Sequence, residues 1–133
     1  LFCLESMNNL ARNGRVNIAV AKIAGMLGIR VAGEAKGGQV APVHKPRGLR
    51  KTTQMLVDMV KERGFRDGGY IRVAHCFAEE AAADFREALL AEFPHARFML
   101  EPTTALCSYY AEVGGLIFGF EGAFNTHNDN RLF

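Results

Sequence analysis

This 133-residue sequence has few cysteines and no long hydrophobic run. No stretch approaches the roughly 20 apolar residues that a bilayer-spanning helix needs, and no basic-then-apolar signal segment opens the chain. The three cysteines, Cys3, Cys76 and Cys107, are odd in number and widely spaced, which argues against a disulfide framework and fits a reducing compartment. We therefore predict a cytoplasmic protein without a membrane span.

Motifs for metals, nucleotides and nucleic acids are also missing. No Cys-x-x-Cys or His-x-x-x-His pair offers zinc ligands, and neither a glycine fingerprint nor a phosphate loop is present. The 16 basic residues are nearly balanced by 14 acidic ones, and aromatic residues are not interleaved with the cations. We predict no metal, no cofactor and no nucleic acid partner.

The composition that remains is that of an ordinary globular domain, with 49% hydrophobic and 23% charged residues. We predict one domain over residues 1–123 and a polar tail over residues 124–133. The chain begins at Leu1 inside an apolar segment and has no initiating methionine. We expect an upstream portion to exist and to hold part of any functional site.

The apolar pattern alternates between helical and strand periods. Ser6 is predicted to begin a short helix that ends at Asn13-Gly14, and Asn17 to begin a second helix that ends at Gly28. Gly37-Gly38 predicts a hairpin. The remaining elements are helices at 49–63 and 78–93, strands at 1–4, 29–35, 39–44, 70–75, 98–100 and 116–121, and a loop between the last two strands. This order predicts an α/β domain with a single mixed sheet and helices packed mainly on one face.

Two motifs carry a resemblance to a known family. Residues 7–17 resemble the pattern L-x-x-L-x-x-G-G-R-I-S, with Asn13 replacing the first glycine and Asn17 the serine, and residues 44–51 resemble the basic motif before a long helix. On these motifs the chain resembles the carboxy-terminal domain of the DegV family. These are bacterial fatty-acid-binding proteins that serve as acyl-carrying subunits of fatty acid kinase. The resemblance implies the corresponding fold, a fatty acid ligand, a separate kinase subunit as partner, and an amino-terminal domain that completes the site.

The end of the chain departs from the family pattern. The family form G-P-V-I-G-x-H-T-G-P-G-x-x-G carries a histidine that helps to hold the fatty acid carboxylate, and Tyr110 falls near that position here. A phenol can donate a hydrogen bond to a carboxylate, so the resemblance still implies a head-group contact at Tyr110.

A fatty acid needs a long apolar slot that ends in hydrogen-bond donors, because an ionised carboxylate is costly to bury alone. Arg15 would supply a forked cationic contact, and Tyr110 and Ser108 would supply neutral donors. Apolar side chains predicted to line the slot are Ile18, Ile23, Met26, Leu27, Phe98 and Phe118. Two alternatives stay open: Arg15 caps a helix or pairs with Glu5 or Glu112, and the apolar residues are ordinary core.

A basic run precedes the long helix and consists of Lys45, Arg47, Arg50 and Lys51. These cations would dock an acidic partner, which the resemblance implies is the kinase subunit, or would contact an acyl-phosphate product. The alternative is a solvated helix start.

The predicted function is therefore non-catalytic: the chain holds a long-chain fatty acid and presents its carboxylate to a separate kinase. The main alternative is a structural or interaction fragment without a competent pocket. A third is an enzyme built on the thiol of Cys76 or Cys107. Apolar surface left by a missing domain would also promote a homodimer.

Overall fold

The computed structural model describes residues 1–122, so the polar tail predicted at 124–133 lies outside the described residues. Within this range no helix is both long enough and apolar enough to cross a membrane. The elements in chain order are β1 (Phe2–Leu4), α1 (Asn8–Arg12), α2 (Ile18–Ile23), β2 (Val31–Lys36), β3 (Gln39–His44), α3 (Leu49–Glu62), β4 (Tyr70–Cys76), α4 (Glu79–Glu92), β5 (Arg97–Pro102), α5 (Ala105–Ala111) and β6 (Gly115–Phe120).

The six strands form one mixed sheet in the order β3-β2-β1-β6-β4-β5. Only β4 and β5 pair in parallel, because α4 connects them as a crossover, and the other neighbours are antiparallel. Gly37 and Gly38 close the β2–β3 hairpin with φ angles of 57° and 75°, which glycine adopts without steric cost. The predicted α/β fold with a single mixed sheet is confirmed.

The two long helices, α3 and α4, cover one face of the sheet. Phe85 of α4 is fully buried there, and its ring lies 5.1 Å from that of Phe118 and 6.0 Å from that of Phe98, measured between centroids. Leu56 and Val60 of α3 are buried in the same cluster. We call this cluster the long-helix core.

The three short helices pack on the opposite face. Met7, Leu10, Ala21 and Ala111 are buried against β1 and β2, and they form what we call the short-helix core. Successive residues of a strand point to opposite faces, so Phe2 and Leu4 of β1 enter this core while Cys3 between them enters the other. The helices thus pack on both faces of the sheet, two long ones on one face and three short ones on the other, whereas the sequence predicted helices mainly on one face. The sheet around β1 is therefore buried on both sides.

The structure differs most from the sequence prediction at the end of the second helix and between the last two strands. The second helix ends at Ile23 and not at Gly28, because Ala24 has an extended backbone with ψ of 129° and Gly25 follows with φ of 85°. Residues 103–115, predicted as a loop, contain α5. Thr104 precedes α5 without a side-chain capping bond, so the usual sequence signal for a helix start is missing.

Candidate functional site

One end of the sheet gathers most of the loops that carry polar side chains. The strands β1, β3, β4 and β5 all end there and β6 begins there, because the register places Cys3 beside Leu116 and Cys76 beside Gly115. We call this the site end of the sheet.

The backbone is strained at the same end. Within residues 1–122, four residues other than glycine have positive φ angles: Leu27 at 41°, Phe77 at 45°, Ala105 at 41° and Glu112 at 55°. Leu27, Phe77 and Glu112 lie in loops that leave or enter a strand at the site end, and Ala105 is the first residue of α5, just after β5. Residues other than glycine rarely adopt positive φ angles, and those that do are concentrated at functional sites. The strain therefore indicates where a function of this domain resides.

An ion pair fills the space beside β1 at the site end. Arg30, whose side chain is only 17% exposed, pairs with Glu5. Gly114 packs directly against Glu5, since a Cβ atom at position 114 would lie 2.5 Å from the Glu5 carboxyl carbon. The carboxylate of Glu5 is thus paired with Arg30 and contacts the Gly114 backbone, although 42% of the Glu5 side chain is exposed.

A second set of contacts joins α1 to α5, and we call it the α1–α5 latch. The Glu112 carboxylate accepts hydrogen bonds from the Ser6 hydroxyl at 2.9 Å and the Asn9 backbone N–H at 3.1 Å. The Asn9 side-chain amide donates to the Tyr109 carbonyl at 2.9 Å, and the Asn13 amide donates to the Tyr109 hydroxyl at 3.1 Å. Glu112 caps the start of α1 in this way, which offsets its unfavourable φ angle.

Arg15 follows directly after α1 and is exposed. Its backbone is fixed, because Gly14 turns the chain with φ of 67° and the Arg15 N–H donates to the Leu10 carbonyl at 2.8 Å. Glu5 and Glu112, its suggested partners, bind other groups, and no acidic side chain in residues 1–122 forms an ion pair with Arg15. The alternative that Arg15 pairs with Glu5 or Glu112 is therefore wrong.

Tyr110 and Ser108 lie on α5, which the α1–α5 latch joins to the helix that precedes Arg15. The half-buried Tyr110 ring packs against the short-helix core, as does Val16, the residue after Arg15. In the described part of the chain the Tyr110 hydroxyl has no hydrogen-bond partner, whereas the Ser108 hydroxyl shares a 2.8 Å hydrogen bond with that of Thr103. Tyr110 is therefore the freer donor of the two.

The predicted acyl-slot residues do not form one cluster. Ile18, Met26 and Leu27 are 64%, 55% and 82% exposed, and Ile23 is half-buried; all four belong to α2 and the turn after it. Phe98 and Phe118 instead belong to the long-helix core on the opposite face. The sheet separates them from the first four, so these two residues are core and cannot share a slot with them.

The four basic residues are all exposed, in the loop before α3 and its first turn. This loop is attached to the turn after α2, since Gly48 N–H donates to the Gly28 carbonyl at 3.1 Å and Arg47 Nε donates to the Leu27 carbonyl at 3.2 Å. The first turn of α3 carries no acidic residue, so the cations add to the positive end of the helix dipole. We call Lys45, Arg47, Arg50 and Lys51 the basic patch; it adjoins the exposed turn at Met26 and Leu27.

The described part of the chain gives no support to thiol chemistry. Burial raises the pKa of Cys3 to about 12. The thiol of the buried Cys76 lies 3.9 Å from the Ser108 carbonyl, whereas Nδ1 of the adjacent His75 accepts the Ala78 N–H at 3.3 Å. Cys107 is exposed and has no hydrogen-bonded base within residues 1–122. No group of three potential metal ligands occurs in that range either.

A family model described as "Uncharacterised protein, DegV family" matches residues 1–120. This chain belongs to the DegV family. A DegV domain-containing protein from Streptococcus pneumoniae is 36% identical over 122 residues, which are 91% of this chain and 43% of that protein. This DegV chain thus spans less than half the length of the curated relatives it matches.

Solved structures of DegV proteins show the same fold. A DegV family protein from Eubacterium eligens, loaded with heptadecanoic acid, is 35% identical with a TM-score of 0.85 over 92% of this chain and 45% of that one. The Streptococcus pneumoniae Fatty Acid Kinase (Fak) B3 protein, loaded with linoleic acid, is 36% identical with a TM-score of 0.84 over 90% of this chain and 43% of that one.

The DegV chain also forms contacts at the site end that were not predicted from the sequence. Arg30 and Glu5 are 25 positions apart, and Glu112 is 106 positions from Ser6, so their pairing depends on the fold. Only Glu112-Val113-Gly114-Gly115 offered a hint, because a glycine pair before a strand indicates a tight backbone approach. Composition and spacing alone do not reveal these contacts.

Proposed function

We propose that this DegV domain forms one wall of a site for a long-chain fatty acid and presents its carboxylate to a separate kinase subunit. The observation that carries the proposal is the exposed Arg15 side chain, which has no ion pair in residues 1–122 and directly follows the helix that the latch joins to α5. Tyr110 of α5 has a hydroxyl without a hydrogen-bond partner in the same range. Fatty acids bound to the Eubacterium eligens and Streptococcus pneumoniae relatives support the class of ligand.

The head-group chemistry follows from these two side chains. A carboxylate accepts two parallel N–H bonds from a guanidinium, and such charge-assisted bonds are about twice as strong as neutral ones. Tyr110 adds a neutral donor from a half-buried position, and Ser108 adds another when its hydroxyl rotates while still accepting from Thr103. Arg15 supplies the charge, and the two hydroxyls orient the carboxylate.

The acyl chain would lie against the exposed apolar residues of α2 and the following turn. Ile18, Met26 and Leu27 expose more than half of their surfaces, which is costly unless another apolar group covers them. Together with Ile23 they offer one wall of a slot, and the opposite wall would come from the rest of a longer protein. Binding by this domain alone would accordingly be weaker than by the whole protein.

The basic patch is the proposed docking surface for the kinase. Its four exposed cations adjoin the turn that would contact the acyl chain, so an acidic partner docked there would stand next to the ligand. Attraction between exposed charges speeds association and weakens with salt. In this proposal the kinase carries out phosphoryl transfer, and this chain acts as a carrier.

Arg15→Ala tests the head-group assignment. We expect the dissociation constant for heptadecanoic acid, measured by displacement of a fluorescent fatty acid, to rise about tenfold to a hundredfold, because a charged hydrogen-bonded contact contributes about 1.5–3 kcal/mol. Arg12→Ala removes an equally exposed cation three positions earlier on α1 and serves as the matched control.

The dissociation constant of Arg15→Lys should lie between those of the wild type and Arg15→Ala, since lysine keeps the positive charge but cannot donate two parallel hydrogen bonds. If Arg15→Ala and Arg12→Ala both bind heptadecanoic acid as tightly as the wild type does, Arg15 does not hold the head group. Absence of displaceable binding in the wild type would favour the interaction fragment without a pocket.

A further inference from the structure

The strand β5 forms one edge of the sheet, and no other strand in residues 1–122 pairs with its outer side. Its surface is unusually apolar for an edge, with Met99 46% and Leu100 43% exposed. The opposite edge strand, β3, contains Pro42 near its middle, a residue that interrupts strand pairing. In β5 the proline, Pro102, comes only at the last position.

The hydrogen bonds to β4 determine which backbone groups of β5 face outward. Arg97 N–H donates to the Gly69 carbonyl at 2.9 Å, and Thr103 N–H donates to the His75 carbonyl at 2.8 Å. In a parallel ladder every second residue points both of its backbone groups at the neighbouring strand. Arg97, Met99 and Glu101 therefore face β4, and the N–H and C=O groups of Phe98 and Leu100 face away from the sheet.

We propose that β5 pairs in antiparallel fashion with β5 of a second copy of this chain, about a two-fold axis at Met99. In this register Phe98 lies opposite Leu100 of the second copy, and both residues direct their backbone groups across the gap. Each of these two symmetric pairs exchanges two N–H···O bonds, as in any closely spaced antiparallel pair. The two six-stranded sheets join into one, and pairing of this kind is a common mode of strand recognition.

Charge selects this register among those that the backbone allows. Arg97 falls opposite Glu101 of the second copy, twice by symmetry, and the two side chains share the face on which Glu101 already lies 3.5 Å from Arg72. A shift by two residues places Arg97 opposite Met99, or Met99 opposite Glu101, and loses both ion pairs. The segment Arg97-Phe98-Met99-Leu100-Glu101 is thus self-complementary in charge and in apolar character.

Sedimentation equilibrium of the 133-residue chain across a wide concentration range tests the proposal. The paired segment is short, so we expect a reversible dimer with a dissociation constant of about 10 µM or weaker. Arg97→Glu and Glu101→Arg should each weaken the dimer at least about tenfold, because each places like charges opposite one another at two positions. The double variant Arg97→Glu/Glu101→Arg should recover most of the affinity.

A second pair of variants tests the backbone part of the interface. Leu100→Pro removes an outward N–H and no bond to β4, whereas Leu100→Ala shortens the side chain and keeps the N–H. Leu100→Pro should abolish the dimer, and Leu100→Ala should weaken it only modestly, with circular dichroism showing that both fold. A wild type that is monomeric at every concentration, or a dimer unaffected by either charge reversal, would overturn the proposal.

Discussion

Replacing Phe85 by alanine should lower the free energy of unfolding by about 3–5 kcal/mol, the usual cost of truncating a fully buried phenylalanine. Phe85 has no exposed surface, and its ring contacts those of Phe98 and Phe118 across the junction between α4 and the sheet. Truncation removes the burial of that ring and leaves a cavity among aromatic neighbours that α4 holds in place. Urea unfolding followed by far-ultraviolet circular dichroism measures the loss.

Phe77→Ala is the matched control for Phe85→Ala. The same side chain is 77% exposed at position 77, so its removal should change the free energy of unfolding by about 0.5 kcal/mol or less. Equal losses in the two variants would show that the long-helix core does not dominate the stability of this fold.

Gly114→Ala should cost about 2–4 kcal/mol of unfolding free energy for two separate reasons. Gly114 has a φ angle of 89°, which an alanine adopts only with strain, and the added Cβ would lie 2.5 Å from the Glu5 carboxyl carbon. Glu5 would have to shift and loosen its pairing with Arg30, whose buried Nε atom already lacks a hydrogen-bond partner in the described part of the chain.

Gly28→Ala separates the strain of the positive φ angle from the close approach of the added Cβ atom to Glu5. Gly28 also has a positive φ angle, 77°, but a Cβ atom at that position meets nothing within 4 Å. The expected cost is about 1–2 kcal/mol, the strain of the left-handed conformation alone. If Gly114→Ala and Gly28→Ala are equally destabilising in urea unfolding, Glu5 does not depend on the space that Gly114 leaves.

The long elements were predictable because their signals are local. Apolar residues at helical spacing and the stop at Gly64 defined α3, which ends at Glu62, within one residue of the predicted end. The turn at Gly37-Gly38 likewise fixed the β2–β3 hairpin. In both cases the residues that determine the structure lie within one helical turn or one hairpin of each other.

The features that the sequence did not predict depend on contacts between residues far apart in the chain. The short helix α5 lacks a capping side chain, and it is held by the latch to α1 roughly 100 positions away. Strand alternation showed that Phe98 and Phe118 each share a face with certain neighbours, but not which of the two cores that face joins. Both residues belong to the long-helix core and not to an acyl slot.

At the candidate site, local features were likewise predictable from the sequence and long-range contacts were not. Arg15 was selected from a local motif, and the structure leaves its guanidinium without an ion pair in residues 1–122. The Glu5–Arg30 pair and the α1–α5 latch arise only when separate loops meet at the site end of the sheet. They fix the backbone around α1 and α5, and we expect this rigidity to place Arg15 and Tyr110 for a ligand.

Native mass spectrometry of the purified chain, after incubation with excess heptadecanoic acid, tests the proposed fatty acid site most directly. The proposed site predicts a mass increment of one fatty acid per chain that disappears on denaturation and is strongly reduced in Arg15→Ala but not in Arg12→Ala. An unliganded mass at every ratio of fatty acid to protein would contradict it, and so would an increment that Arg15→Ala leaves unchanged.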